Sequence, residues 1–172
     1  MQQPLLPVWV VGTLAGTLGW AGRHGYDIMT VGHPHAPDDM PVGVEAWREG
    51  LVSAGHDPAQ RHCQFHIRTF VDEIAKRAHE VATAAIRRYD EISRIGRKED
   101  KPLPKVYDWE GMLASGRNRF GNPDQCIQIL NNSMRHYNFD TLTTTFNFGG
   151  ISHEETKKSM RLFAKEVMPA FR

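Results

Sequence analysis

Short apolar, β-branched runs alternate with longer stretches of helical spacing along this chain, and glycine or proline stands at most of the junctions. Residues 8–11 form a continuous apolar run between Pro7 and Gly12, the pattern of a parallel strand covered on both faces. Residues 18–24 follow as a short helix with Gly25 at its C-terminal cap, and residues 26–31 as a second strand. Val44, Trp47 and Leu51, at spacings of three and four, predict a helix over residues 44–54 that stops at Gly55. Residues 62–71 then alternate, with Cys63, Phe65, Ile67, Thr69 and Val71 on one face and His62, Gln64, His66 and Arg68 on the other. Strands that alternate with helices argue for an α/β fold, a parallel sheet joined by right-handed crossovers.

The second half continues the pattern. Asp72 caps a long helix whose stripe is Ile74, Ala78, Val81, Ala85, Tyr89 and Ile92, and the charged residues 96–104 read as a solvated connection. Asn122-Pro123-Asp124-Gln125 opens another helix with asparagine at the cap, proline first inside it and glutamine three residues on, and Ile127, Leu130, Met134 and Tyr137 form its stripe. Residues 141–148 read as a buried closing strand, followed by a Gly149-Gly150 turn. Ser152 and Glu155 stand at capping-box spacing before a last helix buried through Met160, Phe163, Ala164 and Val167. This final strand and helix read as the closing unit of an α/β barrel. A complete barrel of eight such units takes ~250 residues; the 172 residues here suffice for about half, expected as one domain over residues 1–172.

A formal net charge of +1 gives no electrostatic reason to expect nucleic acid or an anionic membrane as partner. The first residues carry neither a basic leader nor a long apolar run. Cys63 and Cys126 lie far apart on different predicted elements, which points to free buried thiols and a cytoplasmic location.

Four groups of residues could carry chemistry. The turn from Gly12 to Thr17, which also contains Thr13, Leu14 and Gly16, follows a parallel strand and opens a helix. Backbone N–H groups at a helix start favour an anion, the glycines allow close approach, and Thr13 and Thr17 can each donate to a phosphate oxygen. An ordinary βα turn is the competing reading, since the turn has no Walker lysine and does not fit G-x-G-x-x-G. His33, His35, Asp38 and Asp39 are spaced as metal ligands but sit in a proline-rich loop, so a loop rimming a site is favoured and no metal is expected. Cys63 and His66 fall on opposite faces of one strand and cannot act as nucleophile and base. Arg68 requires a carboxylate or an anionic ligand if its face is covered, and solvent if it is not. Asn147, at the end of the closing strand, could orient a ligand or satisfy turn backbone.

Several stretches together resemble the luciferase-like flavin-dependent monooxygenases, the family of bacterial luciferase, in its C-terminal half. Pro7-Val-Trp-Val-Val-Gly-Thr13 through Trp20-Ala21 and His24-Gly25-Tyr26 is similar to the family's fifth strand, phosphate loop and helix. Arg68-Thr-Phe-Val71 resembles its seventh strand, and Phe120-Gly-Asn-Pro-Asp-Gln-Cys-Ile127 a later helix start. Phe148-Gly-Gly-Ile151 and Ser159 through Pro169 resemble the closing turn and last helix. The resemblance implies a partial TIM (β/α)₈ barrel, strands five to eight with their helices. It implies FMN, or alternatively F420, at the strands' C-terminal mouth, with the reduced flavin supplied by a reductase or by NAD(P)H. Thr13, Leu14 through its N–H, and Thr17 would contact the flavin phosphate, with Gly12 and Gly16 shaping the turn. The substrates would be a small organic molecule and O₂. No residue is assigned as catalytic, and the cofactor performs the oxygen chemistry. Strands one to four are missing, so the isolated chain is expected to be inactive, with a homodimer or a complementing N-terminal half as its partner. Two other readings stay open: a non-enzymatic flavin-phosphate- or partner-binding half-barrel, and a complete three-layer α/β binding module unrelated to flavin.

Overall fold

The computed structural model describes residues 6–31, 39–95 and 119–171. The elements run β1 (Trp9–Val11), α1 (Ala15–Arg23), β2 (Asp27–Val31), α2 (Asp39–Ser53), a 3₁₀ turn (Pro58–Gln60), β3 (Cys63–Val71), α3 (Ala75–Ile95), β4 (Arg119–Gly121), α4 (Pro123–Tyr137), β5 (Thr141–Thr145) and α5 (His153–Leu162). A π turn (Phe163–Val167) and a 3₁₀ turn (Met168–Phe171) extend α5. The chain divides into two compact units, Met1–Ile67 with Ser133–Thr143, and Arg68–Asn132 with Thr144–Arg172.

In the first unit β1, β2 and β3 pair in parallel, with Trp9 opposite Asp27, Met29 opposite Gln64 and Val31 opposite His66. Asp140 N–H donates to the Cys63 carbonyl at 3.1 Å, and further along Gln64 bonds the Thr143 hydroxyl, so β5 starts beside β3 and runs with it. Val44, Trp47 and Leu51 are buried on α2 as their spacing predicts, and the Trp47 indole N–H donates to the Tyr26 carbonyl at 2.9 Å. The helices α1 and α2 approach to backbone contact. A Cβ on Gly22 would lie 2.1 Å from the Trp47 carbonyl oxygen, and one on Gly50 would lie 2.5 Å from that of Gly19. Only glycine permits that seam. Gly25 ends α1 with φ +68°, as its position in the sequence implies.

β1 departs from expectation. Its apolar side chains are not covered: Val8 is 48% and Val11 59% exposed, and Trp9 is partly open. Among the described residues β1 pairs only with β2. It is an edge strand, and the apolar run marks surface that nothing in the described chain covers.

In the second unit the C-terminal part of β3 pairs in parallel with β4, Phe70 opposite Phe120, a three-residue strand the sequence pattern did not announce. Phe70, Ala78, Ala82, Ala85, Ile86, Phe120, Phe148 and Ile151 form its core. Gly149, at φ +57°, seats the closing turn on α3, where a Cβ would fall 1.8 Å from the Ala85 carbonyl oxygen. The expected stripes are right in period and hold in part, since Ala78, Ala85, Leu130, Tyr137, Phe163 and Val167 are buried, but the rest of each stripe is rotated in phase. On α3, Ala82 and Ile86 are buried while Ile74, Tyr89 and Ile92 are exposed. On α4 the buried positions are Cys126, Ile129, Leu130, Ser133 and Tyr137, with Met134 exposed. On the last helix Thr156, Ser159, Phe163 and Val167 are buried, whereas Met160 and Ala164 are exposed. Ala82, Cys126 and Ser159 lie inside while Ile74, Met134 and Met160 turn outward. β5 is likewise half-exposed along Thr141–Thr145 rather than buried, and Phe146 and Phe148 beyond it are the buried residues.

Candidate functional site

All five residues singled out in the first βα turn lie together in the first unit. Gly12 follows β1 directly, and its N–H donates to the Met29 carbonyl at 3.1 Å, which ties the turn to β2. Leu14 is the N-cap of α1, with extended backbone at φ −81° and ψ 135°, and gives the helix no side-chain cap bond. The first bond of the helix runs from the Leu18 N–H to the Leu14 carbonyl at 3.0 Å. The N–H groups of Ala15, Gly16 and Thr17 therefore precede the first intrahelical bond and point out of the helix start. No acidic side chain lies in this first turn to draw them inward. Leu14 is 64% exposed, Gly16 and Thr17 are exposed, and a Cβ built on Gly16 meets nothing within 4 Å. Gly12 is close-packed instead: its Cβ would lie 3.3 Å from the Thr17 methyl. The turn thus combines an open mouth, donors without an acceptor among the described residues, two threonines and no acidic side chain of its own. That donor set fits a phosphate monoester.

One contributor was missed from the sequence. Gly43, near the start of α2, backs this turn: a Cβ there would sit 2.7 Å from the Thr13 carbonyl oxygen and 2.9 Å from Leu18 Cδ1. Its signal was present, since Gly43 and Gly50 stand seven residues apart on one helix face.

The remaining candidates resolve differently. His33, His35 and Asp38 lie outside the described residues, and no group of three or more His, Cys, Asp or Glu among the described residues could hold a metal ion. Cys63 and His66 do face opposite ways, one buried and one half-exposed. Burial pushes the Cys63 thiol up to about 12; nearby Arg48 acts against this and Asp140 adds to it, so no thiolate is available near neutrality. Both cysteines are free and buried. Arg68 is half-exposed, and its guanidinium carbon lies 4.0 Å over the Tyr89 ring, a cation–π contact. Asn147 is exposed between Phe146, which packs edge-on against Phe163, and Phe148, which stacks on Phe120.

A charged cluster in the second unit closes the end of β3. The buried Asp72 carboxylate accepts from the Ile74 N–H at 3.0 Å and pairs with Arg77 and, at 3.5 Å, with Lys158. Arg77 also reaches Glu155 at 2.7 Å. Burial alone would raise the Asp72 pKa, but the Ile74 N–H and the two cations outweigh it and hold the carboxyl below its ordinary value. The Val71 N–H donates to the Ser159 hydroxyl at 2.7 Å. Each of these groups is matched by another from the same unit.

No protein-family model matches the sequence. Among curated proteins, the alkanal monooxygenase alpha chain of Photorhabdus luminescens is 26% identical over 184 residues, covering 95% of this chain and 50% of that protein. The alkanal monooxygenase alpha chain of the Kryptophanaron alfredi symbiont is 25% identical over the same share of this chain and 51% of its own. Among solved structures, monooxygenase RslO1 from Streptomyces bottropensis superposes with a TM-score of 0.81 at 18% identity, over 99% of this chain and 50% of that one. The fold is shared at lower similarity by an FMN-bound Baeyer-Villiger monooxygenase component and by F420-dependent enzymes. The chain spans about half the length of the curated relatives it matches. Along 95% of its residues this α/β chain is similar to the alkanal monooxygenase alpha chains, and it shares its fold with monooxygenase RslO1.

Proposed function

We propose that this chain is the C-terminal portion of a flavin-dependent monooxygenase, strands five to eight of a TIM barrel, and that the turn between β1 and α1 holds the flavin phosphate. The observation that carries the reading is the start of α1, where an exposed leucine occupies the N-cap and the first N–H groups meet no acceptor among the described residues. The Thr13 and Thr17 hydroxyls and the N–H groups of Leu14, Gly16 and Thr17 would bind the phosphate dianion, while Gly12 and Gly16 leave room for it. FMN is the favoured occupant and F420 the alternative, since proteins of both kinds share the fold. When bound, reduced flavin supplies the two electrons with which O₂ gives one oxygen atom to a small organic substrate and the other to water. The chain's own part is to anchor and orient. The direct test compares FMN with riboflavin, which lacks the phosphate, by fluorescence quenching on the 172-residue chain. At least tenfold tighter FMN binding is expected, about 1.4 kcal/mol. Equal affinities would sink the assignment.

The exposed Val8, Trp9 and Val11 on β1 favour a second element in the reading: a partner, either a complementing N-terminal half or a second copy, covers that edge. Under it the isolated chain binds phosphate but does not turn over, whether it is an enzyme portion or a non-enzymatic half. Light scattering after size exclusion, with and without FMN, tests the pairing, and a stable monomer throughout counts against it. Flavin-dependent NADH and O₂ consumption by the chain alone would overturn the expected inactivity. The two free thiols suit the reducing cytoplasm as its setting.

A further inference from the structure

We infer that Gly43 of α2 is a positioning residue for the phosphate turn, an inference that rests on the reading above and adds to it a residue with no ligand contact of its own. The turn has two fixed supports in the first unit. One is the hydrogen bond from the Gly12 N–H to the Met29 carbonyl. The other is van der Waals contact with α2 at Gly43, the residue whose missing side chain lets the Thr13 carbonyl and Leu18 settle onto the helix backbone. A single added carbon there would lie 2.7 Å from the Thr13 oxygen and 2.9 Å from Leu18 Cδ1, both closer than real Cβ contacts allow. Leu18 is fully buried and the α1–α2 seam is closed by Gly22 against Trp47 and by Gly50 against Gly19. Neither neighbour can yield easily, so the strain falls on the exposed turn, the softest part of the contact. The consequence is specific. Thr13, Leu14 and Thr17 keep their chemistry but lose their common alignment toward one phosphate.

Gly50 supplies the control, because it belongs to the same seam yet touches Gly19 and Arg23 rather than the turn. Gly43→Ala should weaken FMN about tenfold, the loss of roughly one charge-assisted hydrogen bond, and leave riboflavin unchanged. Gly50→Ala should lower the melting temperature by at least as much while keeping the FMN-to-riboflavin ratio of the wild-type chain. If the wild type itself fails to distinguish FMN from riboflavin, the phosphate reading fails; if it distinguishes them and Gly43→Ala preserves the ratio, only the positioning role fails. Should Gly43→Ala not fold, amide NMR on the wild type decides. On titration with FMN the Gly43 amide should shift along the same saturation curve as Gly16, and a silent Gly43 beside a responding Gly16 would overturn the inference.

Discussion

The start of α1 in the first unit and the starts of α4 and α5 in the second are built in opposite ways. In the second unit α4 starts with a reciprocal box, the Asn122 side chain accepting from the Gln125 N–H at 3.0 Å and the Gln125 side chain accepting from the Asn122 N–H at 3.1 Å. There α5 starts with the Ser152 hydroxyl accepting from the Glu155 N–H at 3.2 Å, and Asp72 is engaged by three donors before α3. In the first unit α1 starts at a leucine that caps nothing. A good cap contributes about 1 kcal/mol, and α4 and α5 each have one. Local rules are broken where a site needs the unsatisfied groups for something else. The open start of α1 is therefore informative because the closed starts of α4 and α5 show what this sequence does elsewhere.

The largest effect expected from pressing on that contrast is on binding. Gly16→Asp adds a carboxylate at the open helix start, where no atom lies within 4 Å of the new Cβ, so charge is changed without a clash. FMN affinity should fall about a hundredfold, near 2.7 kcal/mol, while riboflavin is unaffected. The same carboxylate complements the helix dipole, so stability should hold or rise by about 0.5 kcal/mol. Fluorescence titration and thermal melting measure the two signs together, and undiminished FMN binding would remove the contrast's functional meaning.

Next comes the closed counterpart, Asp72→Asn. It leaves Arg77 and Lys158 without their shared carboxylate; because both cations are partly exposed, the cost should be about 2 kcal/mol rather than that of a fully buried pair. The pH dependence has a definite sign. The folded pKa of Asp72 is lowered, so its contribution is complete above the unfolded carboxylate value of about 3.9 and is lost as pH falls through the lower folded value. Urea midpoints from pH 6 down to pH 2 should converge for the wild type and Asp72→Asn at the acid end. A gap that stays constant to pH 2 would show that the carboxylate's charge is not what stabilises the unit.

The closed starts were legible in the sequence, whereas α1 begins at Ala15, three residues ahead of the helix read over residues 18–24, and the gaps have physical causes. Capping boxes, the glycine stops at Gly25 and Gly55 and the alternating faces of β3 depend on neighbours within a few residues, so residue type and spacing determine them. Burial phase depends on what packs opposite. Ala82, Cys126 and Ser159 face inward because they are small enough for close approach, while Ile74, Met134 and Met160 turn out, and hydrophobicity alone ranks these the other way. For β1 the apolar run correctly signalled a strand that wants cover, yet composition cannot say whether this stretch of chain provides it. Gly43 stayed invisible because a glycine inside a helix reads as weak propensity until the backbone beneath it is known.

The smallest effects are the cap exchanges, and they test the contrast from both sides. Leu14→Ser offers α1 the side-chain acceptor it lacks and, since Leu14 is already exposed, removes little buried surface. It should stabilise the chain by about 1 kcal/mol and weaken FMN a few-fold, because the new hydroxyl competes for the N–H of Gly16 or Thr17. Ser152→Ala removes an existing cap and should cost about 1 kcal/mol with no change in FMN binding. Urea denaturation at pH 7 measures both stabilities, and unchanged slopes would show that the denatured states are comparable. The decisive outcome is the sign at Leu14. If serine there brings no stability while Ser152→Ala carries its full cost, the first turn of α1 already satisfies its donors within the chain. The open start would then be no more available to a phosphate than the closed ones.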